Sequence, residues 1–262
     1  MRRTALATLC LIAVTGAGLT GCLPGEDKAS KASEQSEGVK DGKDGKNGKK
    51  EPFAGLSGGE IADRAVAATT GASSLRMRGD VPDEAAGAMT FDMALDRKGE
   101  CAGTLTMKSG GEAELIKTGD TLYIKYDEAF LRAQSEGEPK ADVDAAVDLL
   151  AGKWTKMSAT GADAEEIAGF CDLDEVLGDV EEGGSTASRG RTTTVDGTPA
   201  LTLTERDGKD RYTIYVATEG EPYLLRLDST ADGDSPVTFS DYEKPVPAKK
   251  PEGEIVDLDA LG

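Results

Sequence analysis

Between Leu75 and Tyr126 the apolar positions fall on every second residue. Leu75 and Met77, then Met89, Phe91, Met93 and Leu95, then Gly103, Leu105 and Met107, then Leu115, then Leu122, Ile124 and Tyr126 alternate with polar partners. Turns rich in Gly, Asp and Lys separate the runs. A period of two sends successive side chains to opposite faces of a strand, so the runs predict consecutive antiparallel strands with one packed face and one wet face. The same period resumes after residue 186. Thr192 and Thr194, Leu201 and Leu203, Tyr212, Ile214 and Val216, Leu225 and Leu227, and Val237 and Phe239 mark five more strands. Their links include Asp196-Gly197, Asp207-Gly208, Glu219-Gly220 and Asp232-Gly233, dipeptides that suit tight turns.

Two regions are spaced for helices instead. Ser57 and Glu60 have the spacing of a capping box, and Ile61, Ala65 and Ala68 then recur at helical intervals until Gly71. In residues 127–182, Phe130 and Leu131 mark a short helix, and Val143, Ala146, Val147 and Leu150 form one apolar stripe. Ile167 and Phe170 form another. Asp163 with Glu166 and Asp172 with Glu175 read as two further helix starts, the second leading into Val176, Leu177 and Val180. Gly152-Lys153-Trp154 interrupts this region, and Trp154, the chain's one tryptophan, is expected to plug the core from an extended link. The fold class that follows is α+β, with about ten antiparallel strands and helices over one face of the sheet.

Composition narrows the chemistry. The 262 residues include no histidine, which excludes a His-assisted nucleophile, an imidazole general base and any His-containing metal site. Gly55-Leu56-Ser57-Gly58-Gly59 matches the Gly-x-Ser-x-Gly nucleophile elbow by letter, but no strand precedes it and no histidine exists to serve it, so Ser57 is read as a helix cap. The acids of residues 228–234 lack the spacing of a calcium loop and read as a solvated turn. No catalytic residue, metal site or cofactor is expected, and the chain is not expected to be an enzyme.

The start of the chain supplies an address. Arg2-Arg3, an apolar run of Ala5 to Val14 and small residues up to Gly21 have the layout of an export signal, and the run is shorter than the roughly 20 residues needed to span a bilayer. Leu19-Thr20-Gly21-Cys22 resembles the bacterial lipobox. That resemblance implies cleavage before Cys22 and a diacylglyceryl group on its sulfur, hence an extracytoplasmic protein held on the cell membrane by Cys22. Removal of residues 1–21 would leave 49 acids against 28 bases, 21 net negative charges. Such an excess excludes a nucleic-acid partner and disfavours a body lying flat on anionic lipid. Residues 23–52 hold seven lysines and seven acids with no apolar pattern. They read as a disordered linker with an end-to-end distance of roughly 30 Å.

Of the four cysteines, Cys10 lies in the signal and Cys22 in the lipobox, leaving Cys101 and Cys171. Outside the cytoplasm this pair is expected to be oxidised to a disulfide, with two free buried thiols as the alternative. Four of the five methionines after Met1 fall in the first strand group, at 77, 89, 93 and 107, and suit an adaptable apolar surface, whether a ligand wall or a core.

The order of lipobox, linker, entry helix, five strands, helices with a Gly152-Lys153-Trp154 link and five more strands resembles the actinobacterial cell-envelope lipoproteins of the LppX and LprG type, which share the LolA-like fold. Leu122-Tyr123-Ile124-Lys125 adds to the resemblance. It covers residues 53–244, leaving 245–262 as a tail in which Ile255, Val256 and Leu258 return to cover a sheet edge. It implies a curved half-barrel whose hollow, partly covered by helices, holds acyl chains. Met77, Phe91, Met93, Leu105, Ile124, Leu203, Ile214 and Leu225 are the candidates to line that hollow. The expected partner is a lipid or other apolar small molecule, the membrane is reached through acylated Cys22, and a monomer is expected. Two alternatives stay open at this point: a filled core in a surface lipoprotein that acts through protein partners, and an enzyme.

Overall fold

The backbone of helix α1 (Gly58–Gly71) begins where Ser57 places its hydroxyl on the Glu60 N–H at 3.2 Å, while the Glu60 carboxylate accepts from the Ser57 N–H at 2.8 Å. Both bonds of the capping box are present, and the Ser57 N–H and hydroxyl, each donating to the Glu60 carboxylate, hold that carboxyl below its usual range. This computed structural model describes residues 51–260 apart from 82–88, 109, 162–163, 178–184 and 232–235. Cys22, the export segment, the linker up to residue 50, Asp163, Val180 and part of the acidic turn at 228–234 therefore lie outside the described residues.

After α1 come β1 (Ser74–Val81), β2 (Met89–Asp96), β3 (Cys101–Met107), β4 (Glu112–Thr118) and β5 (Thr121–Tyr126). Helices α2 (Glu128–Gln134) and α3 (Lys140–Leu150) precede β6 (Trp154–Ser158), and α4 (Glu165–Gly169) and α5 (Leu173–Leu177) follow it. The chain ends with β7 (Ser188–Val195), β8 (Thr198–Asp207), β9 (Asp210–Ala217), β10 (Leu224–Ser229), β11 (Val237–Ser240) and β12 (Ile255–Asp257). All twelve strands form one open sheet in the order β12-β6-β5-β4-β3-β2-β1-β11-β10-β9-β8-β7. Two meanders thus meet at the antiparallel β1–β11 pair, where Met77 faces Phe239. The β7–β8 hairpin shows why the Asp-Gly links work: Asp196 (φ 47°) and Gly197 (φ 85°) both take the left-handed region that a two-residue turn of this hand needs.

Three sequence expectations change. The sheet has twelve strands, not about ten, because Trp154–Ser158 and Ile255–Asp257 are also strands and pair in parallel at one edge. The stretch beyond residue 244 thus supplies the edge strand itself. Trp154 opens β6 opposite Lys125, half-buried, with the Lys125 ammonium 5.9 Å from its ring centroid. It makes a cation–π contact and is not a core plug.

One face of the sheet packs from β1 to β5 and from β8 to β11 into a continuous core. Ile61, Ala62 and Ala65 of α1 join Leu201, Leu203, Val216 and Leu224, while Leu173 and Leu177 of α5 join Leu75, Leu95 and Leu115. α1 sits close because Gly58 and Gly59 carry no side chain: a Cβ on either would lie 2.2 or 2.1 Å from the carbonyl oxygen of Ala187 or Ser185. Gly58 and Gly59 of the elbow-like motif are therefore packing residues, whereas Gly55 has open space around it. Arg189 fixes the approach to this helix, donating from Nη1 to the Phe53 and Leu56 carbonyls (2.8 and 3.0 Å) and from Nη2 to the Pro52 carbonyl (2.8 Å).

Candidate ligand cavity

Strand register decides which side chains stand together. Met77 of β1 is opposite Met93 of β2, which is opposite Gly103 of β3, which is opposite Leu115 of β4. The next rung of the same face runs Gly79, Phe91, Leu105, Ala113. Each rung therefore mixes long side chains with Gly or Ala. A Cβ on Gly103 would come within 2.5 Å of the Met93 sulfur, and one on Gly79 within 2.9 Å of two Phe91 ring carbons. The thioether and the ring lie back over the glycines, and a space is left above them.

That space is a cavity of about 360 Å³. Its floor is Met77, Met89, Phe91, Met93, Leu95, Leu105 and Leu115. Its cover is Ile167, Phe170 and Val176 from the α4–α5 segment. No nitrogen or oxygen-bearing side chain contributes, so the cavity can solvate hydrocarbon and nothing that needs a hydrogen bond. Its size falls toward the low end of the roughly 300–1,000 Å³ common for small-molecule sites. A wider groove of about 520 Å³ lies beside the β6 edge, but Asp120, Lys156, Lys250 and Asp259 line it and it reads as solvated surface.

The cover is tied to the sheet at one end. Cys171, between α4 and α5, is bonded to Cys101, the first residue of β3, with Cα atoms 5.2 Å apart and both side chains fully buried. Asp172 pairs with Asp96 in an isolated bridge, and its carboxylate accepts from the Asp174 and Glu175 N–H groups at 2.9 and 3.2 Å, which caps α5. Arg97 donates to Asp174 and, from Nε, to the Ala72 carbonyl at 2.8 Å. Phe170, next to the disulfide, lines the cavity and is yet 66% exposed, so it marks the mouth.

The second half of the sheet is closed. Thr69 of α1 accepts from the Leu224 N–H at 3.0 Å, and the Tyr242 hydroxyl donates to the Leu224 carbonyl at 2.6 Å. Burial raises the Tyr242 hydroxyl well above its ordinary range. On the opposite, wet face, Asp92 takes Arg76 Nε at 2.5 Å and Arg78 Nε at 3.0 Å. Partial burial pushes the Asp92 carboxyl up, but the two guanidiniums outweigh it and hold it below the usual carboxylate range.

The eight candidate lining residues divide accordingly. Met77, Phe91, Met93 and Leu105 line the cavity. Ile124 and Leu203 are 2% and 0% exposed within the filled core, and Ile214 packs against it. Leu225 is a correction: it lies in a separate cluster with Ala200 and Ala217. The reason is a register shift in β10. Leu224 pairs with Val216 and Arg226 with Tyr215, so Leu225 is the extra residue of a bulge, and Leu224 and Leu227 are the ones that reach the core. Met89, Leu95 and Leu115 share the parity of the recognised lining residues in the same strand group and were legible from it. Phe170 had no such signal, because its place depends on the disulfide.

No protein-family model matches this chain, and no curated protein matches it by sequence. Solved structures do. LprF from Mycobacterium bovis superimposes over 75% of this chain and 97% of its own, with a TM-score of 0.51 at 16% identity. The chain has the fold of LprF. The lipoprotein LppX from Mycobacterium tuberculosis covers 72% of this chain and 97% of its own at 16% identity, with a TM-score of 0.44. The LolA superfamily protein NE2245 from Nitrosomonas europaea covers 75% and 96% at 9% identity, with a TM-score of 0.24. The match with LprF agrees, at the level of the fold, with the architecture read from element order. Among the described residues no helix is long and apolar enough to cross a membrane, and no group of three or more His, Cys, Asp or Glu could hold a metal.

Proposed function

We propose that this chain is a lipoprotein of the extracytoplasmic face of the cell membrane, acylated at Cys22, that holds or carries a lipid or other apolar molecule between the β1–β4 floor and the α4–α5 cover. The observation that carries the reading is the enclosure of about 360 Å³ by side chains without a single nitrogen or oxygen. A closed core would have filled that volume, since interiors pack to the density of organic crystals. The likeness in fold to LprF and the lipobox at Leu19-Thr20-Gly21-Cys22 support the same reading. Residues 23–52 serve as the tether that lifts the body from the lipid headgroups.

Native mass spectrometry tests it. The mature chain with Cys22→Ser, made in a lipid-containing host, is expected to carry an apolar adduct. Leu105→Trp should abolish uptake of a fluorescent fatty-acid probe at little cost in stability, because the ring enters empty space. Ile124→Trp should overpack the filled core and cost about 1–3 kcal/mol. A parent protein with neither adduct nor probe uptake would overturn the reading and favour a body that acts through protein partners. The α1-filled half of the sheet, where Leu203 has no exposed surface, already fits that second description.

A further inference from the structure

The proposed cavity is not evenly walled. Its depth is decided on two adjacent rungs where a glycine stands opposite a large side chain, Gly79 opposite Phe91 and Gly103 opposite Met93. The three atoms nearest a Cβ at Gly79 all belong to side chains, two in the Phe91 ring at 2.9 Å and Val237 Cγ2 at 3.1 Å. At Gly103 it would also meet the Asp92 carbonyl oxygen at 2.1 Å, so the backbone itself depends on that glycine. Gly79 is therefore the position where one methyl group would act on the ring and leave the sheet in place. The ring lines the cavity, so displacing it changes the cavity's volume.

We infer that Gly79, through the position of Phe91, sets the size of the cargo, and that the cargo inserts one hydrocarbon chain and leaves its polar end outside. This rests on the reading that the cavity binds apolar molecules. The walls exclude a polar group from the interior, because burying one without a hydrogen bond is strongly unfavourable. The volume leaves no room for two long chains. A cavity of about 150 Å³ takes one benzene, so 360 Å³ scales to roughly a dozen carbons. The polar end then leaves past Phe170, the exposed member of the lining.

The test is a chain-length series. Uncharged n-alkyl maltosides with tails of increasing length would compete against an uncharged fluorescent naphthylamine on the mature chain carrying Cys22→Ser. Affinity is expected to rise about fourfold per methylene, then stop rising near a dozen carbons. A two-tailed diacylglycerol should compete no better than a single tail of equal length. Gly79→Ala should move the break to shorter tails, Phe91→Leu should move it to longer ones, and the double variant, which has no ring left for the added methyl to displace, should keep the break of Phe91→Leu. If Gly79→Ala does not fold, the Phe91→Leu shift decides alone. A break that stays put in Phe91→Leu, or a diacylglycerol bound more than tenfold tighter than its single-tail match, overturns the inference while leaving binding intact. Failure of every alkyl compound to displace the probe sinks the binding reading, and this inference with it.

Discussion

Cys171 is bonded to Cys101 directly beside Phe170, so a disulfide between the cover and the sheet sits at the mouth of the cavity. The bond spans 70 residues of sequence and joins the α4–α5 junction to the start of β3. It therefore acts on stability and on the cover at once.

Thiol labelling of the denatured, unreduced Cys22→Ser chain without its signal should find no free cysteine. In the Cys101→Ala/Cys171→Ala double variant, loss of a loop of this length should cost about 4 kcal/mol on the chain-entropy account. Denaturant unfolding measures that loss. Probe release from the reduced protein should be faster than from the oxidised one, because α4 and α5 are otherwise held by Asp172 and Arg97. Two labelled thiols in the unreduced protein would remove the premise.

The anchor prediction is independent of the cavity. Cys22→Ser should leave the precursor uncleaved or shed the protein into the medium, and the acyl mass should vanish from the mature N-terminus. Two chains bind a membrane durably where one binds only marginally. Unchanged detergent partitioning of the variant would contradict acylation at this position.

Thr69 and Tyr242 satisfy the two backbone groups of Leu224 under α1. Thr69→Val keeps the shape but leaves the buried Leu224 N–H without its acceptor, which should cost about 1–3 kcal/mol. Tyr242→Phe removes a donor from a carbonyl that can accept elsewhere and should cost less, near 1 kcal/mol. Urea unfolding of both variants distinguishes the two, and the reverse order would show that the Leu224 N–H is not the buried group that matters.

Asp92 carries a pH signature. Its folded-state carboxyl titrates below the usual carboxylate range because of Arg76 and Arg78, so the stability it contributes is fully present above the unfolded-state pKa. That contribution is lost as pH falls through the lower folded value. The stability difference between the parent and Asp92→Asn should thus be constant near neutrality and shrink toward zero below about pH 4. A difference that persists at pH 2 would mean that the ion pair is not its source.

Much of this protein was legible without coordinates, and the reason is local. The two-residue period that put Met77, Phe91, Met93 and Leu105 on one face depends only on the pleat of a strand, and the Ser57–Glu60 cap depends only on one turn of helix. Periodicity says which side chains share a face; it cannot say what covers that face. Leu203 and Ile214 obey the same alternation as Phe91, yet α1 packs on their half and a cavity lies on the other. That difference arises from contacts between residues far apart in the chain, such as Gly58 against Ala187 and Cys171 against Cys101. The bulge at Leu225 broke the period itself, because one unpaired residue reverses the parity of everything after it. The meeting of β1 with β11 and of β12 with β6 likewise belonged to the tertiary structure alone, since nine strands lie between the first two in sequence and five between the second two. The hollow was decided in the same way: the sequence shows Gly79 and Gly103 as two glycines in strands, and only register sets them opposite Phe91 and Met93, where a missing Cβ becomes space.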